Sequence, residues 1–157
     1  MAIAPNTTFV SGAILTAAQM NALPWGIVAQ ASNTAANNSI TSTETVQITA
    51  STFTAVANRY YRITYCEPSV APSTGVSNTI TLRIRLTNAA GTQYAQGQYQ
   101  QETNNATNAS VNVVALQTFT AGPVVVVGTA QVNGGTGNIQ RAATYPGRII
   151  VEDVGPA

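Results

Sequence analysis

The amino-acid sequence predicts an all-β protein: a β-sandwich preceded by an N-terminal arm that carries one short α-helix. Apolar residues alternate with polar ones along much of the chain after residue 25, which is the period of a strand with one buried face. Turn-forming segments separate these runs at sandwich spacing and give eight or nine strands. The 157 residues suit one sandwich domain, 25–157, behind an arm, 1–24.

The clearest strand is "SNTITLRIRLT", in which every second position from Ile80 to Leu86 is apolar. The segment "NRYYRITYC" places Tyr61, Ile63 and Tyr65 on one face in the same way. The turn "NAAG" joins two strands at hairpin length. Further strands are expected at residues 25–31, 44–49, 92–100 and 148–152.

Two runs depart from simple alternation. The four valines of "GPVVVVGTAQV" predict a strand that is partly covered on both faces. In "ASVNVVALQTFT" the apolar positions begin at Val111 and Val113 and then change phase at Val114 and Leu116. This change of phase predicts a β-bulge.

The arm contains the helix signal "ILTAAQMNALPWG". Thr16 stands at the N-cap with Gln19 three residues later, which is the pattern of a capping box. Leu15 before the cap and Met20 four positions into the helix match a hydrophobic staple, and Pro24 ends the helix.

Such a short helix has to bury its apolar residues, because it is not stable alone in water. It either attaches the chain to another protein or closes the end of its own sandwich, and we favour attachment. The attachment residues predicted from this pattern are Leu15, Thr16, Met20, Leu23 and Trp25.

Composition excludes several classes of partner. Charged residues are 7% of the chain, the net charge is +1, and the six basic residues are all arginines without any lysine or histidine. Six dispersed arginines do not form the basic surface that nucleic acids or anionic membranes require. A chain with so little repulsive charge suits an assembly of packed subunits. The first residues lack a signal-peptide pattern, so we expect synthesis in a cytoplasm without membrane insertion.

No catalytic, cofactor-binding or metal-binding residues are predicted. Without histidine, a Ser–His or Cys–His pair is impossible, and the single cysteine, Cys66, fits a buried structural thiol. The adjacent Glu152 and Asp153 would point to opposite faces of a strand. A glycosidase pair such as Glu67 with Glu102 is the remaining enzymatic alternative. The interpretation is therefore a protein that is not an enzyme.

Four residues are candidates for a subunit interface: Tyr60, Arg62, Arg83 and Arg85. Tyrosine and arginine are enriched at interfaces. The prediction requires the four side chains to share one outer sheet face, and the alternative is a solvated strand face.

Two segments resemble known families. "STFTAVANRYYRITYC" (Ser51–Cys66) resembles the C1q/TNF-like jelly roll, with Asn58 at a turn position that usually carries glycine. This resemblance implies a jelly-roll-like sandwich and a homotrimer. "TFVSGAILTAAQMNALPWGIV" (Thr8–Val28) is similar to the N-terminal signature of small virion proteins of tailed bacteriophages, particularly those of actinobacteria. The end of the chain, "RIIVEDVGPA", is also similar to such proteins.

The resemblances imply a structural virion component, first of all a minor tail or tail-tip protein. A head decoration protein is the alternative within the same class, and a carbohydrate-binding receptor module is an alternative from another class. The partners expected are further copies of the chain in a homotrimer, other virion proteins through the arm, and a host surface glycan.

Overall fold

The computed structural model describes residues 12, 14, 16–72, 78–101 and 108–157 of the chain. These residues form one short helix and twelve strand segments. The elements are α1 Ala17–Asn21, β1 Gly26–Asn33, β2 Asn37–Ile40, β3 Thr45–Thr49, β4 Phe53–Ala55, β5 Arg59–Pro72, β6 Asn78–Leu86, β7 Gln93–Gln101, β8 Ala109–Thr118, β9 Gly122–Val124, β10 Val126–Val132, β11 Gly137–Ile139 and β12 Gly147–Pro156.

The strands form two principal antiparallel sheets. In the six-stranded sheet the order is β1-β12-β5-β11-β2, and β8 pairs with the other edge of β5. The four-stranded sheet has the order β3-β10-β6-β7, and β4 pairs with β9 in a small third sheet. The chain passes repeatedly between the two large sheets, which is the connectivity of a jelly roll. The predicted jelly-roll-like sandwich is confirmed.

Alternation places the core between the two sheets. Tyr61, Ile63 and Tyr65 on β5 are buried, as predicted, and so are Ile80 and its alternate neighbours on β6. At one end, the rings of Phe53, Tyr61, Phe119 and Tyr94 lie with neighbouring centroids 5.3–5.9 Å apart. Clustered aromatic rings and aliphatic side chains supply the main stabilisation of such a sandwich.

The turn before β5 forms as its sequence indicates. Asn58 has a φ of 60°, a left-handed conformation that asparagine tolerates better than most residues. The Asn58 carbonyl accepts a hydrogen bond from the Ala157 N–H at 2.8 Å. The predicted "NAAG" hairpin connects β6 to β7, and there the Asn88 carbonyl accepts from the Gly91 N–H at 3.0 Å.

The valine run is covered within this single chain. Val126 and Val127 are both buried although consecutive, so both faces of β10, a central strand of its sheet, are covered. A neighbouring subunit is therefore not needed to cover these valines.

The predicted bulge in β8 is wrong. The strand alternates without interruption, with Val111, Val113 and Ala115 buried. Val114 and Leu116 consequently point outward, and the irregularity in this pair lies on β5 between Glu67 and Val70.

Candidate assembly surfaces

The arm ends in a helix whose cap forms as predicted. The Thr16 N–H donates to the side-chain oxygen of Gln19 at 2.9 Å, and the Gln19 N–H donates to the Thr16 hydroxyl at 3.2 Å. These reciprocal bonds are a capping box. Leu15, the other half of the predicted staple, lies outside the described residues.

The helix does not contribute to the sandwich core. Met20 and Trp25 are each 50% exposed, and Ile14 is 93% exposed. Leu23 is half-buried and is absent from the cluster of core residues. Among the described attachment residues, these apolar side chains therefore stand at the surface of the chain.

One arginine holds the end of the arm to the sandwich. Arg59, at the start of β5, donates through Nε and Nη2 to the two carboxylate oxygens of the buried Asp153 at 2.5 and 2.6 Å. The same guanidinium donates to the backbone carbonyls of Asn21 and, at 2.6 Å, Leu23. It also lies 4.3 Å from the ring centroid of Trp25, a cation–π contact. The arm thus leaves the sandwich from a fixed point.

The outer face of the six-stranded sheet presents two cross-strand rows. The register aligns Ile27, Glu152, Arg62 and Leu116 in one row and Gln30, Ile150, Thr64 and Val114 in the next. Residues opposite one another in neighbouring strands share a face. We call these eight residues the six-stranded outer face.

Aliphatic side chains dominate the exposed surface of that face. Ile27, Val114 and Leu116 are 57%, 56% and 54% exposed, and Ile150 is half-buried. The Arg62 Nε donates to the Glu152 carboxylate at 2.9 Å, so these two charges are paired. The aliphatic side chains form two groups on that face, Val114 with Leu116 on β8 and Ile27 with Ile150 on β1 and β12, separated by the polar residues of β5. Grouped, exposed aliphatic side chains are typical of an interaction site. Sequence analysis missed it because the phase of β8 was read with Val114 and Leu116 inside.

The outer face of the four-stranded sheet is organised around one carboxylate. Glu44, just before β3, accepts from Arg83 Nη1 at 3.0 Å and from Arg85 Nε and Nη2 at 2.5 and 2.8 Å. The Thr129 hydroxyl also donates to it. Burial alone would raise the pKa of Glu44, but the hydrogen bonds from Arg85 and Thr129 and the charge of Arg83 outweigh burial, so its pKa lies below the ordinary value. We call Glu44, Arg83, Arg85 and Thr129 the four-stranded ion cluster.

The four candidate interface residues do not share a face, so the condition for one common interface is not met. Tyr60 and Arg62 lie on β5 in the six-stranded sheet, and Arg83 and Arg85 lie on β6 in the other. Both pairs point outward from their sheets, so the sandwich itself separates them. Arg83 and Arg85 are already paired with Glu44. The interface role of these residues remains a prediction for each sheet separately.

The interior holds an ion pair that the sequence analysis did not identify. Arg141 donates to both carboxylate oxygens of Glu67, one at 2.8 Å, and Tyr65 donates to Glu67 at 2.7 Å. The side chains of Arg141 and Glu67 are 1% and 0% exposed. Gly147 leaves the space for them, because a Cβ there would lie 2.6 Å from both side chains. Burial, followed by the charge of Glu67, raises the pKa of Tyr65 well above its usual value.

This pairing decides what Glu67 can do. A carboxylate enclosed in the core and paired with an arginine is not open to a sugar substrate, and Glu102 lies outside the described residues. Cys66 is half-buried on the outer side of β5, where burial raises the pKa of its thiol. It is therefore less enclosed than the sequence predicted.

Two features are absent from the residues that the structure describes. No cluster of three or more His, Cys, Asp or Glu side chains in that part of the chain could hold a metal ion. No helix in the described ranges is long and apolar enough to cross a membrane.

No protein-family model matches the chain, and no curated protein matches it in sequence. Among solved structures, Eiger TNF from S. frugiperda has a similar fold, with 10% identity over 84% of this chain and 95% of that chain and a TM-score of 0.51.

Two further matches are a CBM4 structure and the carbohydrate-binding module CBM6cm-2 from Cellvibrio mixtus lichenase 5A in complex with cellotriose. The CBM4 structure is 13% identical over 83% of this chain and 92% of that chain, with a TM-score of 0.31. The Cellvibrio module is 14% identical over 83% and 89%, with a TM-score of 0.27. The TM-scores of these two matches are too low to establish a shared fold, whereas the similarity to Eiger TNF supports a shared fold. The chain therefore has a TNF/C1q-like jelly-roll fold, with a short capped helix fastened to one end of the sandwich.

Proposed function

We propose that this chain is a non-enzymatic structural subunit of a tailed-bacteriophage virion, placed in the tail as a minor tail or tail-tip protein. The observation that carries the proposal is the arm. Its sequence is the segment that resembles phage virion proteins, and the apolar side chains that the structure describes there lie outside the core cluster. Half of Met20 and almost all of Ile14 remain exposed, as is expected of a surface that another virion protein covers.

The way the arm is held supports an attachment role. Arg59 fixes the chain at Asn21, the last residue of the helix, and at Leu23 just beyond it, while none of the helix side chains that the structure describes belongs to the core cluster. An attachment segment binds more tightly when the point at which it joins the domain is rigid, because less conformational entropy is then lost on binding. In this proposal the sandwich, through Arg59, supplies the rigid point of connection, and the helix supplies the surface that contacts another virion protein.

We also propose that the subunit is a homotrimer that associates through the six-stranded outer face. Ile27, Val114 and Leu116 are more than half exposed there. The charges of Arg62 and Glu152 on the same face are paired with each other. Covering such a surface with identical subunits removes apolar area from water without burying an unpaired charge. The number three comes from the resemblance to C1q/TNF-like domains.

Electron microscopy of virions labelled with an antibody to this protein tests the location. Label at the tail or its tip is the expected result. Label on the head would favour the decoration-protein alternative, and unlabelled virions that lack the protein would contradict both.

Sedimentation of the full-length protein at micromolar concentration tests the assembly. A species of three times the chain mass is expected, and a monomer would contradict the trimer. Deleting residues 1–24 should leave a folded trimer that no longer joins the particle. None of the described residues of that segment belongs to the core cluster, and the Arg59–Asp153 pair lies outside the deleted residues. If the truncated protein unfolds, the arm belongs to the sandwich and the attachment role is lost.

A further inference from the structure

The sequence contains one asparagine–glycine pair, Asn133–Gly134, which follows directly after β10. The pair lies at the end of the sandwich away from the arm. There, β11 pairs with Pro72 at the end of β5, whereas Arg59, at the start of β5, holds the arm. Asn133 is exposed, and neither the arm nor the six-stranded outer face includes it.

The side chain of Asn133 takes the place of the main chain at the end of the ladder between β10 and β6. The Asn133 N–H donates to the Thr79 carbonyl at 3.1 Å, and the Thr79 N–H donates back to Asn133 Oδ1 at 2.8 Å. In a regular antiparallel pair this second bond goes to the main-chain carbonyl. A backbone donor therefore holds and polarises the side-chain amide of Asn133.

From this arrangement we propose that Asn133 is a self-modification site. Its side-chain amide cyclises onto the Gly134 nitrogen, and water then hydrolyses the ring to isoaspartate or aspartate. The inference goes beyond the proposed virion role and does not depend on it.

The reaction begins when a base from solvent, such as hydroxide, takes the proton of the Gly134 nitrogen. That nitrogen forms a bond to Cγ of Asn133, the bond from Cγ to Nδ2 breaks, and ammonia leaves with a proton from water. The product is a five-membered succinimide. Water then opens the ring, giving isoaspartate when it adds to the main-chain carbonyl carbon and aspartate when it adds to Cγ.

The fold favours the attack in two ways. Negative charge develops on Oδ1 as the new bond forms, and the Thr79 N–H already donates to that atom, as a donor of an oxyanion hole does. Gly134 has no β-carbon to shield its nitrogen, and its carbonyl accepts a hydrogen bond from Asn78 Nδ2. Both reacting residues are thus held by the start of β6, which limits the freedom that the reaction has to remove.

The fold also accommodates the product. In isoaspartate the main chain passes through Cγ, so the former Oδ1 becomes a main-chain carbonyl oxygen and can keep the Thr79 N–H as its donor. The displaced carboxylate is released at an exposed position. One new carboxylate lowers the formal net charge of the chain from +1 to zero. The modification therefore adds negative charge, over time, to the end of the sandwich away from the arm.

Peptide mapping by mass spectrometry of the folded, full-length protein, incubated in mildly alkaline buffer, tests the site. We expect a gain of about 1 Da in the peptide that contains Asn133, because the amide becomes a carboxyl group. Fragmentation by electron transfer should identify isoaspartate there. Hydroxylamine, which attacks succinimides, should cleave the chain between Asn133 and Gly134.

A synthetic peptide with the sequence of residues 129–137 measures what the fold contributes. The folded protein should convert about tenfold faster than the peptide, since only the protein supplies the Thr79 N–H. Equal or slower conversion in the protein would show that the contacts with Thr79 do not promote the reaction and would overturn the proposal.

The matched variant is Gly134→Ala. A Cβ at this position meets no atom within 4 Å, and Gly134 does not have a positive φ, so far-UV circular dichroism should be unchanged. Conversion should be about tenfold slower, because the methyl group hinders the approach of the nitrogen. An unchanged rate would reject attack by Gly134. Equal conversion at Asn88, an exposed turn asparagine followed by alanine, would reject the selectivity.

Discussion

The two outer faces of this sandwich differ in how their outward-pointing side chains are covered and how their charges are paired. On the four-stranded sheet, Arg83 and Arg85 converge on Glu44, so long polar side chains cover the strands and satisfy one another. One aliphatic residue on that face, Val46, is appreciably exposed at 41%. On the six-stranded sheet, a lone ion pair is flanked by Ile27, Val114 and Leu116, which remain open to solvent. The first face satisfies its charges within one chain, whereas the second leaves aliphatic side chains exposed, and there we propose a partner.

The difference shows that low charge does not by itself mark an interface. Both faces belong to a chain with 7% charged residues. On the four-stranded face three charges meet in one network, whereas the outer side of the six-stranded sheet carries the Arg62–Glu152 pair and the exposed Arg148. The aliphatic residues are left where the register aligns β1, β12, β5 and β8. Placement of the charges distinguishes the four-stranded face from the face that we propose for assembly.

The largest effect is expected from placing charge on the apolar face. The double variant Val114→Asp and Leu116→Asp should sediment as a monomer, because an interface cannot bury unpaired carboxylates. Both positions are exposed in the single chain, so the far-UV circular dichroism should be unchanged.

The matched control for that variant is Gln96→Asp with Gln98→Asp. It adds two carboxylates at the same spacing on an exposed strand of the other sheet, and it should leave the assembly intact. Dissociation by both double variants would indicate general charge repulsion and contradict the assignment of the interface.

The second-largest effect is expected at Glu44, the carboxylate of the four-stranded ion cluster. Its counterpart on the six-stranded outer face is Glu152, which pairs with Arg62. Glu44→Ala leaves Arg83 and Arg85 without their shared acceptor in a largely covered setting, and we expect a loss of about 3 kcal/mol in the free energy of unfolding. Glu152→Ala removes the partner of an exposed arginine and should produce no measurable change. Urea denaturation of both variants checks the contrast. Equal losses would show that the two faces do not differ in how their charges are satisfied.

A pH dependence should follow from Glu44. Its pKa is lower in the folded protein than in the unfolded chain, so its contribution to stability is present above the unfolded pKa. That contribution is lost as the pH falls through the lowered folded pKa. In Glu44→Gln the free energy of unfolding should therefore fall less steeply between neutral and acidic pH. Identical slopes for the two proteins, measured by denaturant titration across this range, would contradict the role of Glu44.

The smallest effect concerns the hairpin at the end of the four-stranded sheet. Thr87 has a φ of 65°, a strained conformation for a β-branched residue. Thr87→Gly should raise the free energy of unfolding by about 0.5 kcal/mol, because the relief of strain exceeds the entropic cost of glycine. Thr92→Gly, in the same hairpin without a positive φ, should lower it. A loss of stability in Thr87→Gly would show that its side chain outweighs the strain.

Sequence alone determined the features that depend on near neighbours. The alternation on β5 and β6, the capping box at Thr16 and Gln19, and the left-handed turn at Asn58 were all predictable, because each follows from the geometry of a few consecutive residues. The fold class followed as well, since it requires only the number of strands and their spacing.

Tertiary structure decided what depends on residues distant in sequence. The phase of β8 could be read either way, because Val113 and Val114 are equally apolar. Pairing with β5 and packing against the opposite sheet put Val113 inside and Val114 outside. The Glu67–Arg141 pair joins residues 74 positions apart, and the separation of Arg62 from Arg83 depends on which sheet each strand enters. Local pattern fixes which residues alternate, but only the assembled sheets determine which side is covered and which charges meet.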